Sequence, residues 1–180
     1  MEKITPSSYS IMRVASRADI TSAMKDSLVQ LLKDAVDNNF SVGFMKDSTD
    51  ADFDKFWSDE IALCESENKL FLAVTDNVVQ GCVIVTREER ANGRHRGELR
   101  KLLVHSKAQG MGIGTKLEGA ATSYARQIGL TLLYLDSATN FLVNGVYEKW
   151  GWSKSGEIPQ FAKNPDGELV STWFFYKLLS

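Results

Sequence analysis

The 180-residue sequence predicts a mixed α/β (α+β) chain, with a mostly antiparallel central sheet of about six to seven strands flanked by about four helices. Three observations carry this prediction. Segments with apolar residues at helical spacing alternate with short apolar runs of strand length, and no linker, repeat or low-complexity tract interrupts them. Two of the apolar runs meet at a tight polar turn, which makes a hairpin. Between Val104 and Leu117 an apolar strand runs into a glycine loop that opens onto a helix. The length gives a prior of one domain spanning residues 1–180, large enough to bury a real core.

The elements follow in order. Ile11 to Ala15 reads as a short strand, and Leu28, Leu31, Leu32, Ala35 and Val36 form the core-facing stripe of a first helix. A polar, acidic stretch from Asp47 begins a second helix through Phe53, Phe56, Trp57, Ile61 and Leu63. Leu70 to Val74 and Val78 to Val85 are the hairpin strands, turning at Asp76 and Asn77. Asn92 and Gly93 turn the chain back into a third strand ending Leu99 to Val104. After the glycine loop comes a helix with Ile113, Leu117, Ala120, Ala121, Tyr124 and Ile128 on one side, and Gly129 fits its stop. Thr131 to Leu135 is a compact strand, and Phe141, Val143, Val146 and Tyr147 belong to a helix ending near Gly151. Two last strands bracket Asn164, Pro165, Asp166 and Gly167, a turn whose proline and glycine preset the dihedrals.

Composition narrows the function. A formal charge of -2 and a pI near 5.7 argue against a general nucleic-acid binder. Cys64 and Cys82 have no metal-ligand spacing and read as buried or spectator thiols in a reducing compartment, so no metal is expected. Met1 to Ile20 carry scattered charge and no continuous apolar run, so neither a secretory signal nor a membrane span is expected, and the cytoplasm is the default.

The loop itself is a phosphate cradle. Gly110, Gly112 and Gly114 let the backbone bend tightly and leave amide hydrogens uncovered, and the helix that follows adds roughly +0.5 charge at its N-terminus. A dinucleotide fingerprint is excluded, because after Gly110 and Gly112 the third glycine position falls on Thr115. A nucleotide P-loop is excluded too, because Gly114 is followed by Thr115 and then Lys116. Gln109, Gly112 and Gly114 instead match [QR]-x-x-G-x-[GA], and the loop resembles the pyrophosphate holder of the GNAT acetyltransferase superfamily. Asn140, Val143, Val146, Tyr147, Lys149, Gly151 and Trp152 are similar to a second motif of that superfamily, departing at Val143, where a smaller residue is usual. The order of elements also resembles the GNAT fold over nearly the whole chain. Ser41 to Met45, Glu98 with Lys101, Leu102 and Val104, and the tail Gly156, Glu157, Pro159, Pro165, Asp166, Gly167 look like tabtoxin-resistance acetyltransferases, which acetylate an amino group on a small β-lactam toxin.

The resemblance implies roles. It implies acetyl-CoA as cosubstrate, held by Gln109, Gly110, Met111, Gly112, Ile113, Gly114 and Thr115, with Asn140 on the pantetheine amides. It implies that the strand carrying Leu102, Leu103 and Val104 splays from its parallel neighbour carrying Leu133 to Asp136, freeing backbone groups for the pantetheine arm. An unpaired N–H there, assigned to Leu103, would stabilise the thioester oxygen. Glu98 and Asp136 are the candidate bases, in contact or through water, because a lysine-like amine is mostly protonated at neutral pH. Tyr147 is the candidate acid for the departing thiolate. Apart from the resemblance, Glu98 and Asp136 read as strand-end carboxylates, Tyr147 as a buried aromatic, Asn140 as a helix cap and Leu102 to Val104 as core.

Charge is uneven along the chain. Arg94, Arg96, Arg100, Lys101 and Lys107 against Glu98 leave a local excess of +4, suited to coenzyme A phosphates. Asp47, Asp50, Asp52, Asp54, Asp59 and Glu60 against Lys55 leave an excess of -5, which reads either as a hint of a cationic substrate or as a solvated helix face. His95 and His105 are isolated, and Trp57, Trp150, Trp152 and Trp173 read as core or rim packing, with Trp57 a candidate pocket wall. The expected function is N-acetyl transfer from acetyl-CoA to a small amine-bearing molecule in a ternary complex. The alternatives are a peptide or protein amine as acceptor, or a noncatalytic acyl-CoA sensor. The protein is expected as a monomer or homodimer.

Overall fold

The computed structural model describes residues 9–66, 68–139 and 143–179. Seven strands, β1 (Ser10–Arg13), β2 (Asn68–Thr75), β3 (Val78–Arg87), β4 (Arg96–Val104), β5 (Leu132–Ala138), β6 (Ser153–Lys163) and β7 (Leu169–Leu178), form one sheet in the order β1-β2-β3-β4-β5-β7-β6. Four α-helices, α1 (Ser22–Asp37), α2 (Asp50–Leu63), α3 (Ile113–Gln127) and α4 (Asn144–Lys149), cover it. Every neighbouring pair is antiparallel except β4 and β5, which run parallel. This is the mixed, mostly antiparallel architecture expected from the sequence.

Local chemistry sets the boundaries. Asp76 and Asn77 both have positive φ, 49° and 61°, as a two-residue hairpin turn with strand-like twist requires. The α1 helix starts at Thr21, whose hydroxyl accepts from the Met24 N–H at 3.2 Å. The α2 helix starts at Asp50 rather than at Asp47, because Thr49 and Asp52 close a reciprocal capping box there. The Phe141 end of the expected fourth helix lies outside the described residues.

Two cores lie on the two faces of the sheet. Phe71, Ala73, Val83 and Val85 pack under α3 with Ile113, Leu117 and Ala121, while Leu70, Leu72 and Ile84 pack under α1 and α2 with Leu28, Leu32, Phe53 and Trp57. Alternate residues of β2 and β3 thus serve opposite cores, which is why both strands read as continuous apolar runs. Trp57 is fully buried, and its indole N–H donates to the Leu28 carbonyl at 2.8 Å, clamping α2 to α1. It is a core residue and does not line the cleft described below.

The sheet opens in the middle. Registered pairing between β4 and β5 covers only Arg96 with Leu132, Gly97 with Leu133 and Glu98 with Tyr134. Beyond Glu98, the β3–β4 ladder places Cys82 opposite Leu103 but Ile84 opposite Arg100, so Lys101 and Leu102 together face Val83. Lys101 sits at φ 53° in this bulge. Bulges bend a strand and increase its twist, and this one turns β4 away from β5. The splay implied by the resemblance therefore has a local cause in β4.

Both cysteines are buried; Cys82 donates to the Lys101 carbonyl and Cys64 to the Glu60 carbonyl, each at 3.3 Å. Burial pushes both thiols up, Cys82 to about 12, so neither supplies the thiolate that alkylation needs. Native protein near neutral pH is expected to leave both unlabelled by iodoacetamide for hours and to label both in denaturant. Rapid native labelling would contradict this burial.

Candidate active site

The glycine loop begins where β4 ends. A single 3-10 turn, Ser106–Ala108, leads into it, anchored by Ser106, whose N–H and hydroxyl both donate to Asp34 of α1 at 2.8 and 2.6 Å. Gly110 and Gly112 have φ of +79° and +77°, which a side chain would strain, and a Cβ on Gly110 would meet nothing within 4 Å. Gly112 caps α3 without a side-chain hydrogen bond, and the first bond across this end runs from the Lys116 N–H to the Gly112 carbonyl at 3.1 Å. The amides of Ile113, Gly114 and Thr115 are therefore free donors at a positive helix end. Open space above Gly110 and uncapped amides beside it fit a pyrophosphate.

From this loop one cleft of about 1110 Å³ runs between the splayed strands. Its near end is lined by Gln109, Gly110, Gly112, Ile113, Gly114 and Thr115, and its walls by Leu102, Leu103 and Val104 of β4, Leu135 to Ala138 of β5, and Tyr147 and Trp150 around α4. Met111 does not line it; this residue packs against the α3 core, and its carbonyl accepts from the Tyr9 hydroxyl at 3.5 Å. Asn140 lies outside the described residues.

The strand's alternation decides which amide faces the opening. The His105 N–H donates to the Gln80 carbonyl at 2.9 Å, so the Leu103 N–H, two residues earlier, also points to β3 and Cys82. The Val104 N–H points to the cleft, and the expectation for Leu103 passes to Val104.

Tyr147 is 6% exposed and packs its ring against Trp150, Trp152 and Phe175. Its hydroxyl is not among the buried polar atoms left without a partner, and the residue lines the cleft. Burial, with Asp136 and Glu118 adding to it, pushes the phenol above its usual range, so it keeps its proton throughout the neutral range. Asp136 also lines the cleft and accepts from the Thr172 hydroxyl at 3.2 Å. Glu98 is half-buried at the last rung between β4 and β5, behind the lining, and burial raises its carboxyl above 4.5, with Arg100 opposing and Asp136 adding to the rise.

Residues 29–152 match the acetyltransferase (GNAT) family. The chain belongs to the GNAT acetyltransferase family. Among solved structures, the acetyltransferase is similar to the ribosomal-protein-alanine N-acetyltransferase of Brucella melitensis, at 21% identity and a TM-score of 0.75 over 94% of this chain and 99% of that one. An N-acetyltransferase from Staphylococcus aureus Mu50 aligns at 14% identity and a TM-score of 0.77, covering 95% of this chain and 99% of that one. An acetyltransferase from Salmonella typhimurium, solved with its cofactor acetyl-CoA, aligns at 19% identity and a TM-score of 0.76, covering 97% of this chain and 95% of that one. At these identities the likeness is one of fold.

The far end of the acetyltransferase's cleft is built by distant segments. Phe40 to Met45, from the α1–α2 connection, face Ala162 and Lys163 of β6 and Val170 to Thr172 of β7. The two sides are tied where Ser41 donates to the Lys163 carbonyl at 3.0 Å, Lys46 N–H to the Pro165 carbonyl at 3.2 Å, and Lys46 Nζ to Asp166 at 2.9 Å. Spacing along the chain does not single out Ala162 or Thr172, because only the fold brings the last hairpin over this end.

Neither charge cluster behaves as a block. Arg96 pairs with Glu88 at 3.0 Å, Arg100 with Glu60 at 2.8 Å, and Lys101 turns to the Val42 carbonyl, so these three cations of the +4 run are engaged within the protein. In the acidic run, Asp50 pairs with Lys33, Asp54 with Lys25 and Asp59 with Lys55, while Asp52 caps α2. None of these acids lines the cleft, so they lend no support to a cationic substrate. No group of three or more metal-capable side chains occurs among the described residues. No described helix is long and apolar enough to cross a membrane.

Proposed function

We propose that this acetyltransferase transfers acetyl from acetyl-CoA to the amino group of a small molecule, by direct attack in a ternary complex. The observation that carries it is one continuous cleft that runs from the free amides of α3, past the open edge of β4 and Tyr147, to Asp136. Bound acetyl-CoA supplies a thioester. The α3 amides hold phosphate, and the Val104 N–H offers a hydrogen bond at the open edge of β4. Asp136 faces the entering amine, and the amine's proton passes through water to Glu98, whose carboxyl burial holds above its usual range. Tyr147 O–H supplies a proton at the departing sulfur and regains one from water in the cleft, leaving neutral coenzyme A thiol and neutral phenol.

A small acceptor is favoured by the tied far end. The segments that resemble tabtoxin-resistance enzymes, Ser41 to Met45 and Pro165 to Gly167, are the ones joined there, which supports a tabtoxin-like β-lactam as the first acceptor to try. The test is thiol release from acetyl-CoA against tabtoxin-like β-lactams, amino acids, polyamines, aminoglycosides and peptides beginning with alanine, with the mass of each product. Acetylation of a small amine is expected; acetylation confined to peptides would move the acceptor class, and tight acetyl-CoA binding without any product would point to a sensor.

Two results follow from the scheme. Gly112→Val places a β-branched residue at φ +77° beside the free amides and is expected to raise the acetyl-CoA Kd about tenfold or more, read by calorimetry. Protonation of Glu98 as pH falls removes the base, so the acid limb of kcat/KM is expected above 4.5, and Glu98→Gln should abolish it. An unchanged limb in that variant would assign the proton to another group.

A further inference from the structure

The acceptor end holds a cation that no carboxylate among the described residues pairs with. Lys101 lines the cleft, and its Nζ donates to the Val42 carbonyl at 2.8 Å and lies 5.4 Å from the centre of the Phe56 ring. Its neighbours are answered: Arg100 by Glu60 at 2.8 Å, and Lys46 by Asp166 at 2.9 Å. Among the described residues no carboxylate lies within the 4.0 Å of an ion pair with Lys101, and one carbonyl takes up one of its three N–H donors. Burial, and then Arg100, act against its charge, with Glu60 and Asp136 acting more weakly in its favour. The backbone beneath it is held at φ 53°, a left-handed conformation that strains a non-glycine residue. A partly buried ammonium, set on a strained bulge and facing a cleft, is a half-made ion pair whose other half arrives with a ligand.

We propose that Lys101 binds a carboxylate on the acceptor, which is therefore an amino acid or a close analogue rather than a simple amine. This rests on the acetyl-transfer reading above and narrows it. Asp136, near enough for its charge to act on Lys101, takes the ammonium end of the zwitterion, so the pair orients the acceptor with its amine toward β5 and its carboxylate toward the α1–α2 connection. Lys163 adds positive charge at the same end. In the acidic run Asp50, Asp54 and Asp59 meet Lys33, Lys25 and Lys55, Asp52 caps α2 and Glu60 meets Arg100, and none of these acids lines the cleft.

The experiment uses matched triplets, an amino acid with its carboxamide and its decarboxylated amine, drawn from α-, β- and γ-amino acids. Each is titrated calorimetrically into the full chain loaded with desulfo-CoA, and each is assayed separately for acetylated product. At least one acid is expected to bind about tenfold or more tighter than its carboxamide, and Lys101→Gln to bring that ratio to within about twofold, with Lys101→Arg retaining it. The wild-type ratio stands as a test even where a variant does not fold. No acid preference in any triplet, or a preference that survives in Lys101→Gln, overturns the proposal. Acid preference without acetylation would keep the Lys101 site and remove acetyl transfer; acetylation without acid preference would do the reverse.

Discussion

Tyr147→Phe is expected to lower kcat about 100-fold or more while the protein stays folded and its Kd for acetyl-CoA changes less than about threefold. The ring contacts to Trp150, Trp152 and Phe175 survive the change. The hydroxyl is not a buried atom lacking a partner but opens on the cleft that Tyr147 lines, so its removal strands no buried donor or acceptor. What disappears is a proton held on oxygen by burial, with the nearby charges of Asp136 and Glu118 acting in the same sense. A coenzyme A thiol, with a pKa in the ordinary thiol range of about 8.5, would leave as thiolate in the variant. Steady-state rates and equilibrium dialysis separate the two effects. A kcat within about threefold of wild type would reduce Tyr147 to a packing residue; a parallel loss of affinity and rate would place its role in binding.

How much of this was legible in the sequence depends on the range of the interaction. Gln109, Gly112 and Gly114 could be read because a helix end that holds phosphate needs its glycines within one turn, and the positive φ of Gly110 and Gly112 is that need in geometric form. The hairpin at Asp76 and Asn77 was legible for the same local reason. Charge misled, since a run along the chain says nothing about partners elsewhere in it: Arg100 meets Glu60 from α2, and Asp54 meets Lys25 from α1. The orientation of the Leu103 and Val104 amides turns on the β3 register, which no single strand encodes. The bulge at Lys101 was illegible as well, for a lysine carries no signature of left-handed backbone.

Glu118→Ala is expected to destabilise the protein by about 3–5 kcal/mol, the largest stability effect of any single change considered. Glu118 is 5% exposed and sits on α3, and its Oε1 accepts from Trp152 Nε1 at 2.9 Å, Lys177 Nζ at 2.8 Å and the Thr122 hydroxyl at 2.8 Å. One carboxylate thus ties α3, which carries the glycine loop, to β7 and to the segment that follows Tyr147. Removing it leaves the Lys177 ammonium, with 13% of its side chain exposed, and the Trp152 indole N–H without their acceptor. At about 2–4 °C per kcal/mol, the melting temperature falls by about 6–20 °C. Glu118→Gln, which can still accept from Trp152 but no longer carries charge for Lys177, is expected to fall between. The double change Glu118→Leu with Lys177→Met should recover much of the loss, because replacing both members of a buried pair avoids the uncompensated ion. Calorimetric melting of the four proteins decides it: an alanine variant within about 1 kcal/mol of wild type would show that water already serves these donors, and α4 would then hold Tyr147 by aromatic packing alone.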